Sequence, residues 1–204
     1  MIKALMIDVD GVLVCGRPGD GSHWSVDLEA DLGLRAEDLH RAFFAPHWND
    51  VVLGRATLGD RLSPVLATIA PQVTPERLID YWFRQDSRLD ERLLSDLHDW
   101  RRKGLQVHLA TNQEHMRARH LMQVMGLADR VDGIHYSAAL GVRKPDPEFF
   151  RLVSARVLLS PGELLLIDDS IENVRAAGIA GWSAAHWTGE KRLAEVLSPH
   201  LMRE

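Results

Sequence analysis

Short apolar segments recur along the chain and predict the strands of a sheet. The first runs from Ile2 to Ile7 and is apolar except at Lys3. A continuous apolar run predicts a strand that is covered on both faces, as in the centre of a parallel sheet. Further strands are predicted at residues 105–111, 131–137, 163–170 and 181–187.

Between these segments the apolar residues follow a helical period. In residues 90–104, for example, Leu93, Leu97 and Trp100 share one side of a predicted helix that ends at Gly104. Strands that alternate with such helices predict an α/β fold with a doubly wound parallel sheet. Ligands of these sheets bind at the carboxyl ends of the strands. Other helices are predicted at residues 112–126, 144–157, 171–178 and 189–197.

Residues 24–84 differ, because they show helical periods and no convincing strand. One helix is predicted around residues 58–70, although Pro64 weakens it and is an alternative start of a new helix. Another begins after Thr74, a helix-capping residue that a proline follows. The segment therefore predicts an all-helical insert.

The insert divides the predicted chain into two parts. An α/β catalytic core comprises residues 1–14 and 89–204, and a small helical cap comprises residues 15–88. The cap follows Asp10 directly, so its opening would admit a substrate and its closure would exclude bulk water.

Composition narrows the class of protein. The 204 residues are 46% hydrophobic and 26% charged, as in a water-soluble globular domain, and the net charge is −5 without a basic run. Nucleic acid is therefore a poor partner. Cys15 is the single cysteine and suits a reducing compartment. With no apolar run of membrane-spanning length and no signal peptide evident, we expect a cytoplasmic protein without a membrane or an obligate protein partner.

Polar side chains cluster where three of the predicted strands end. A buried carboxylate is costly without a cation or hydrogen-bond donors, so several acids in a small space require a cation. Oxygen ligands favour Mg²⁺, and Lys144 would add a fixed positive charge. The strand-end residues are Asp8 and Asp10 after the first strand, Thr111 and Asn112 after the second, and Asp168, Asp169 and Ser170 after the fourth.

Four short motifs follow one another in a fixed order. They are DVDGV at residues 8–12, ATN at 110–112, RKPD at 143–146 and IDDSIEN at 167–173. In this order they resemble the haloacid dehalogenase-like hydrolase superfamily, and most of all its small helical-cap phosphatases that act on sugar phosphates. The resemblance covers nearly the whole chain. It implies a Rossmann-like core and hydrolysis of a small phosphate monoester, with a sugar phosphate as the preferred substrate.

Phosphoryl transfer needs an in-line nucleophile and groups that neutralise the phosphoryl oxygens. We expect Asp8 to be the nucleophile that forms an aspartyl-phosphate. Asp10 would protonate the leaving alcohol and then take a proton from the hydrolytic water. The Thr111 hydroxyl and the Asn112 backbone N–H would bind phosphoryl oxygens, and Lys144 would pair with both Asp8 and the phosphoryl group.

The resemblance also implies the metal ligands. Mg²⁺ would be held by the carboxylates of Asp8 and Asp169 and by the backbone carbonyl of Asp10. Asp168 stands where the family has a glycine, so we expect it to hold a metal-bound water. Asn173 stands where many members have an acid, which would lower metal affinity slightly.

Several alternatives stay open. A sugar-phosphate mutase-type phosphotransferase would use the same core, a metal-independent haloacid dehalogenase would release halide, and a non-enzymatic protein would only bind phosphate esters. Asp10 argues for ester hydrolysis, since the dehalogenases lack this second acid. Trp24, His47 and Trp48 either line a substrate pocket under the cap or pack among its helices.

Overall fold

A parallel sheet of five strands forms the centre of the α/β part. In the computed structural model, which describes residues 1–201, the strand order is β3-β2-β1-β4-β5 and every pairing is parallel. All five strands lie where the sequence predicts them, and the predicted α/β class is confirmed. The strands are β1 (Ala4–Ile7), β2 (Gln106–Thr111), β3 (Gly133–Tyr136), β4 (Leu164–Asp168) and β5 (Ser183–His186).

Five helices lie between β1 and the next part of the core. A wide turn at His40–Phe44 joins the second to the third, so that they form one continuous helical segment. The helices are α1 (Leu28–Leu32), α2 (Ala36–Leu39), α3 (Ala45–Val52), α4 (Leu58–Ile69) and α5 (Pro75–Gln85). They share an apolar cluster of their own, centred on Phe43 and Leu66, which are fully buried.

Pro64 does not begin a new helix. It lies inside the continuous helix α4, where it removes one backbone donor. The Thr57 hydroxyl caps the start of this helix, and Leu58, Leu62 and Leu66 are all buried in the apolar cluster. This burial, together with the cap, offsets the lost hydrogen bond.

The remaining helices cover both faces of the sheet. Alternate residues of β1 point to opposite faces, so Leu5 and Ile7 pack in one apolar cluster while Ala4 and Met6 pack in another. The first cluster includes residues of α6 and α11, and the second includes residues of α9 and α10. These helices are α6 (Glu91–Arg102), α7 (His115–Arg119), α8 (Ser137–Leu140), α9 (Pro147–Val157), α10 (Ile171–Ile179) and α11 (Leu193–Leu201).

Two chain segments connect the helical insert to the sheet. Val14 forms an antiparallel bridge with Leu89, and the backbone of Cys15 donates to Arg88 at 2.8 Å. The predicted division at residues 14/15 and 88/89 falls within this connection and stays a prediction. None of the helices in residues 1–201 combines the length and apolar character that a membrane crossing needs.

Candidate active site

Asp8 follows β1 directly at the carboxyl edge of the sheet. Its side chain is buried, and its Oδ1 atom accepts hydrogen bonds from the Val9 backbone N–H at 2.8 Å and lies 3.0 Å from Nζ of Lys144. The other oxygen, Oδ2, accepts no hydrogen bond from any residue the structure describes. One carboxylate oxygen is therefore fixed while the second is available for chemistry.

Lys144 lies between two carboxylates. Its side chain is fully buried, with Nζ 2.5 Å from Oδ2 of Asp168 and 3.0 Å from Asp8. Asp168 ends β4 and also accepts hydrogen bonds from the Ser170 backbone and from the Asn173 amide, at 2.9 and 3.0 Å. The lysine therefore has a fixed position. The sequence did not suggest that Asp168 anchors Lys144; that it holds a metal-bound water stays a prediction.

Asn112 has a contact that the sequence analysis missed. Its side chain exchanges two hydrogen bonds with the backbone of Lys144, donating to the carbonyl at 3.0 Å and accepting from the N–H at 2.9 Å. This pairing ties the end of β2 to the loop that carries the lysine. Thr111, beside it, is buried, and its hydroxyl has no hydrogen-bond partner within residues 1–201, so it is free to bind a ligand.

Asp10 lies at the edge of a cavity and is solvent-accessible. Its Oδ2 atom accepts a hydrogen bond of 2.7 Å from the side-chain amide of Gln113, which is buried. The backbone carbonyl of Gln113 in turn accepts bonds from Ser137 and Ala138. Gln113 thus holds Asp10 from the loop that follows the neighbouring strand β2, which fixes the orientation of the carboxyl group.

Three carboxylates converge at the sheet edge. Oxygen atoms of Asp8, Asp168 and Asp169 all lie within 4.8 Å of one another, and we call this group the acidic edge. The absence of a side chain at Gly11 allows Asp169 to come this close, because a Cβ atom at residue 11 would lie only 2.2 Å from Oδ2 of Asp169. Lys144 supplies a single positive charge against three acids, and all the donors are oxygens. This donor set fits a divalent cation such as Mg²⁺.

Desolvation, with a smaller contribution from neighbouring acids, raises the pKa values of Asp8, Asp10 and Asp169. Burial raises the pKa of Asp8 to about 7, with Lys144 acting against it and Asp168 and Asp10 adding to it. Desolvation of the Asp10 carboxyl by the surrounding protein raises its pKa to about 6, although part of the side chain is open to the cavity, and the charge of Asp86 adds to the rise. The pKa of Asp169 is raised as well, again through burial first. Without a cation, therefore, the protein environment disfavours full ionisation of this group.

The cavity beside Asp10 reaches into the helical insert. It has a volume of about 440 Å³. Its sheet side includes Asp10 and Gly11, and its insert side includes Trp24 and Trp82. The rings of these two tryptophans are stacked, with centroids 5.2 Å apart. Phe44 and Trp48 continue the same group, 5.6 and 5.8 Å from Trp82, and we call the four rings the aromatic wall.

The structure shows which of the residues Trp24, His47 and Trp48 line the cavity and which of them pack among the helices of the insert. Trp24 does both, since it lines the cavity and is 6% exposed. Trp48 lies behind the cavity and lines a separate groove on the insert that also includes His23 and Trp24. His47 lines neither space and contacts the ring of Phe43.

Two further residues escaped the sequence analysis. Arg117 of α7 is almost fully buried and forms an ion pair of 3.3 Å with Asp86, at the end of α5. It also donates to the backbone carbonyls of Asp86 and Phe83. An arginine in the middle of a predicted helix that packs on the sheet is a signal that sequence analysis can use, because a charged side chain is rarely buried without a partner. Its partner, 31 residues away, could not be inferred from local sequence.

Comparison with known proteins identifies the family. The family model described as "haloacid dehalogenase-like hydrolase" matches residues 2–181. The chain belongs to the haloacid dehalogenase-like hydrolases. The family resemblance predicted from the four motifs and the prediction that the chain is an enzyme of this hydrolase class are both confirmed.

Curated relatives of this hydrolase carry phosphatase names. A sesquiterpene phosphatase from Aspergillus oryzae is 30% identical over 91% of this chain and 90% of that protein. A phosphoglycolate phosphatase from Pectobacterium atrosepticum is 27% identical, over 88% and 77%. The fold is also found in a haloacid dehalogenase family enzyme from Bacteroides thetaiotaomicron, crystallised with magnesium and inorganic phosphate. Its TM-score is 0.79 at 19% identity, and the match covers 100% of both chains.

Proposed function

We propose that this hydrolase is a Mg²⁺-dependent phosphatase that cleaves a small phosphate monoester through an aspartyl-phosphate on Asp8. The observation that carries the proposal is the geometry of Asp8: one oxygen is held by Val9 and Lys144, and the other accepts no hydrogen bond from the described residues, while Asp10 lines the adjoining cavity. The relatives named phosphatases agree with this activity.

The first step forms the covalent intermediate. The free oxygen of Asp8 attacks phosphorus, and the bond from phosphorus to the alcohol oxygen breaks. Lys144 and the unpartnered Thr111 hydroxyl bind phosphoryl oxygens and lower their charge repulsion with Asp8. Asn112 contributes by holding the backbone of Lys144, in addition to the predicted contact from its own backbone N–H.

Asp10 acts as general acid and then as general base. The raised pKa of about 6 keeps part of its carboxyl population protonated near neutral pH, so it can donate a proton to the leaving alcohol. The resulting carboxylate takes a proton from the water that attacks the aspartyl-phosphate. The Gln113 amide orients the carboxyl group in both steps.

Mg²⁺ fits the acidic edge. Asp8 and Asp169 would hold it through their carboxylates, together with the backbone carbonyl of Asp10; the Asp10 carboxylate is not part of the cluster. When bound, the cation screens the negative charge that the site and the phosphoryl group bring together. Asp168 belongs to the cluster, but its oxygens are already engaged with Lys144, Ser170 and Asn173.

The substrate's organic group is not fixed by similarity, because the names of the relatives point to groups as different as a sesquiterpene and glycolate. The preference for a sugar phosphate, which came from the motif resemblance, is untested, and the cavity lining described below favours a different organic group. The cytoplasmic location also stays a prediction.

Phosphate release from a panel of phosphate monoesters, with Mg²⁺ and with a chelator, tests the proposal. We expect turnover only with Mg²⁺ and only inorganic phosphate and alcohol as products.

Asp10→Asn should slow turnover about 10²-fold to 10⁴-fold, while the exposed Asp99→Asn should leave it unchanged.

The rival functions give different products. A mutase-type phosphotransferase would return the labelled phosphoryl group to an organic product. A dehalogenase would release halide from a 2-haloacid in the presence of the chelator. Either result, without phosphate release, would contradict the proposal.

A further inference from the structure

The cavity beside Asp10 is chemically asymmetric. Its sheet side presents Asp10 and Gly11, which follow the proposed nucleophile Asp8 closely in the chain, whereas its insert side presents the stacked rings of Trp24 and Trp82. The alcohol part of a bound ester extends past Asp10, because Asp10 must reach the oxygen that joins it to phosphorus. The organic group therefore meets the aromatic wall.

The charges around the cavity exclude a second anionic group on the substrate. The lining residues include the carboxyl groups of Asp10 and Asp86 and no lysine or arginine. Arg117 neutralises Asp86 through their ion pair, so it is not available to a ligand. A carboxylate or second phosphate next to Asp10 would meet a like charge, and the nearest guanidinium, that of Arg88, lies beside Gly21 at another side of the cavity and is not part of its lining.

Polar partners for a hydroxyl-rich group are also scarce. The polar side chains on the insert side of the cavity are Cys15, His23 and Asp86, together with the indole N–H groups of the two tryptophans, of which that of Trp82 is buried. Nδ1 of His23 is paired with the Ser25 hydroxyl at 2.8 Å, and Asp86 is paired with Arg117. Burial raises the pKa of the Cys15 thiol, which leaves it a weak donor. A sugar would lose more hydrogen bonds to water here than it would gain.

We propose, on the basis of the phosphatase function above, that the substrate is the monophosphate of an uncharged, apolar alcohol whose hydrocarbon part packs against Trp24 and Trp82. A cavity of about 440 Å³ lies within the range that holds small organic ligands. The adjoining groove of about 540 Å³ shares His23 and Trp24 with it, so aromatic surface continues beyond the cavity for a longer chain.

A chain-length series tests this substrate class without any variant. With Mg²⁺, we expect kcat/KM to rise from ethyl to butyl to hexyl phosphate by about threefold per methylene, the gain expected when apolar surface leaves water. Glucose 6-phosphate and phosphoglycolate should be poorer than hexyl phosphate. If kcat/KM is flat or falls with chain length, or if either polar ester is preferred, the substrate class is wrong while the phosphatase function stands. If no ester in the series releases phosphate, the phosphatase function itself fails.

A matched pair of variants locates the contact. Trp82→Ala should lower the ratio of kcat/KM for hexyl over ethyl phosphate by at least about tenfold, because it removes half of the ring pair. Trp100→Ala removes a tryptophan that is also partly buried but lies on α6 and does not line the cavity, and it should leave the ratio unchanged. Since each ratio is taken within one protein, partial unfolding does not alter it. An unchanged ratio in Trp82→Ala would overturn the proposal.

Discussion

The acidic edge lies at the carboxyl end of the sheet and the aromatic wall lies in the helical insert, and the two are held in place by different interactions. Charges and hydrogen bonds order the first, where Lys144 pairs with Asp8 and Asp168. Ring packing orders the second, where Trp82 contacts all three other rings of the wall. The comparison suggests that the sheet supplies the chemistry and the insert supplies the choice of organic group.

The two regions also differ in what they do to stability. Acids whose pKa values are raised by burial destabilise the folded protein at neutral pH, because their ionised forms are better solvated in the unfolded chain. The aromatic wall removes apolar surface from water and stabilises the fold. Neutralising an acid whose pKa is raised and truncating a ring of the aromatic wall should therefore change stability in opposite directions.

The largest effect is expected from Asp8→Asn. Loss of the nucleophile should lower turnover by about 10⁴-fold or more, while the protein stays folded because an amide replaces a carboxylate of the same shape. Steady-state phosphate release measures the loss of turnover, and circular dichroism measures whether the variant is still folded. Near-normal turnover in this variant would show that another residue attacks phosphorus.

The next largest effect is expected from Lys144→Met. It leaves Asp168 buried without its cation and should lower the free energy of unfolding by about 3 kcal/mol as well as abolish turnover. The double variant Lys144→Met/Asp168→Asn should regain most of the stability but none of the activity. Urea unfolding measured beside phosphate release separates these outcomes. Recovered activity in the double variant would mean that the lysine only compensates Asp168.

In the aromatic wall, Trp82→Ala should lower the free energy of unfolding by about 2 kcal/mol, because it removes the centre of a packed ring cluster. Trp82→Phe keeps an aromatic ring and should lower the free energy of unfolding by less than Trp82→Ala does. Thermal and urea unfolding of both variants check this order. Equal stability of Trp82→Ala and the original protein would contradict a packing role for this side chain.

The smallest effect is a gain in stability in Asp10→Asn. A carboxyl group whose folded pKa is raised destabilises the protein as pH rises above its ordinary value of 3.8, and this penalty is complete above about pH 6. Asp10 is solvent-accessible, so we expect the metal-free variant to be more stable by only about 1 kcal/mol at pH 7. The gain should vanish near pH 4. Urea unfolding of both proteins in chelator at pH 7 and near pH 4 measures this gain in the free energy of unfolding. A gain that is larger at the lower pH would contradict the raised pKa of Asp10.

Local sequence was enough to place the acidic edge, because each residue follows a strand whose apolar pattern is easy to recognise. Asp8 takes its position from β1, and Asp168 and Asp169 take theirs from β4, because the parallel strands bring their carboxyl ends together. The bounds of the five predicted strands differ from the observed ones by only a few residues at each end.

The aromatic wall could not be assembled in the same way. Trp24, Phe44, Trp48 and Trp82 come from different parts of the insert, and their contacts depend on how its helices pack. The ion pair between Arg117 and Asp86 has the same origin. Helical periodicity shows that such residues face inward, but it does not show which neighbour they meet.

The most direct test of the account is to find where the phosphoryl group resides during turnover. The protein is mixed with Mg²⁺ and a radiolabelled phosphate monoester, quenched in acid within a single turnover, digested and analysed by mass spectrometry. The account predicts one labelled phosphoryl group on the peptide that contains Asp8, and none in Asp8→Asn. Label on a different side chain, or rapid turnover with no labelled protein at any time, would contradict it.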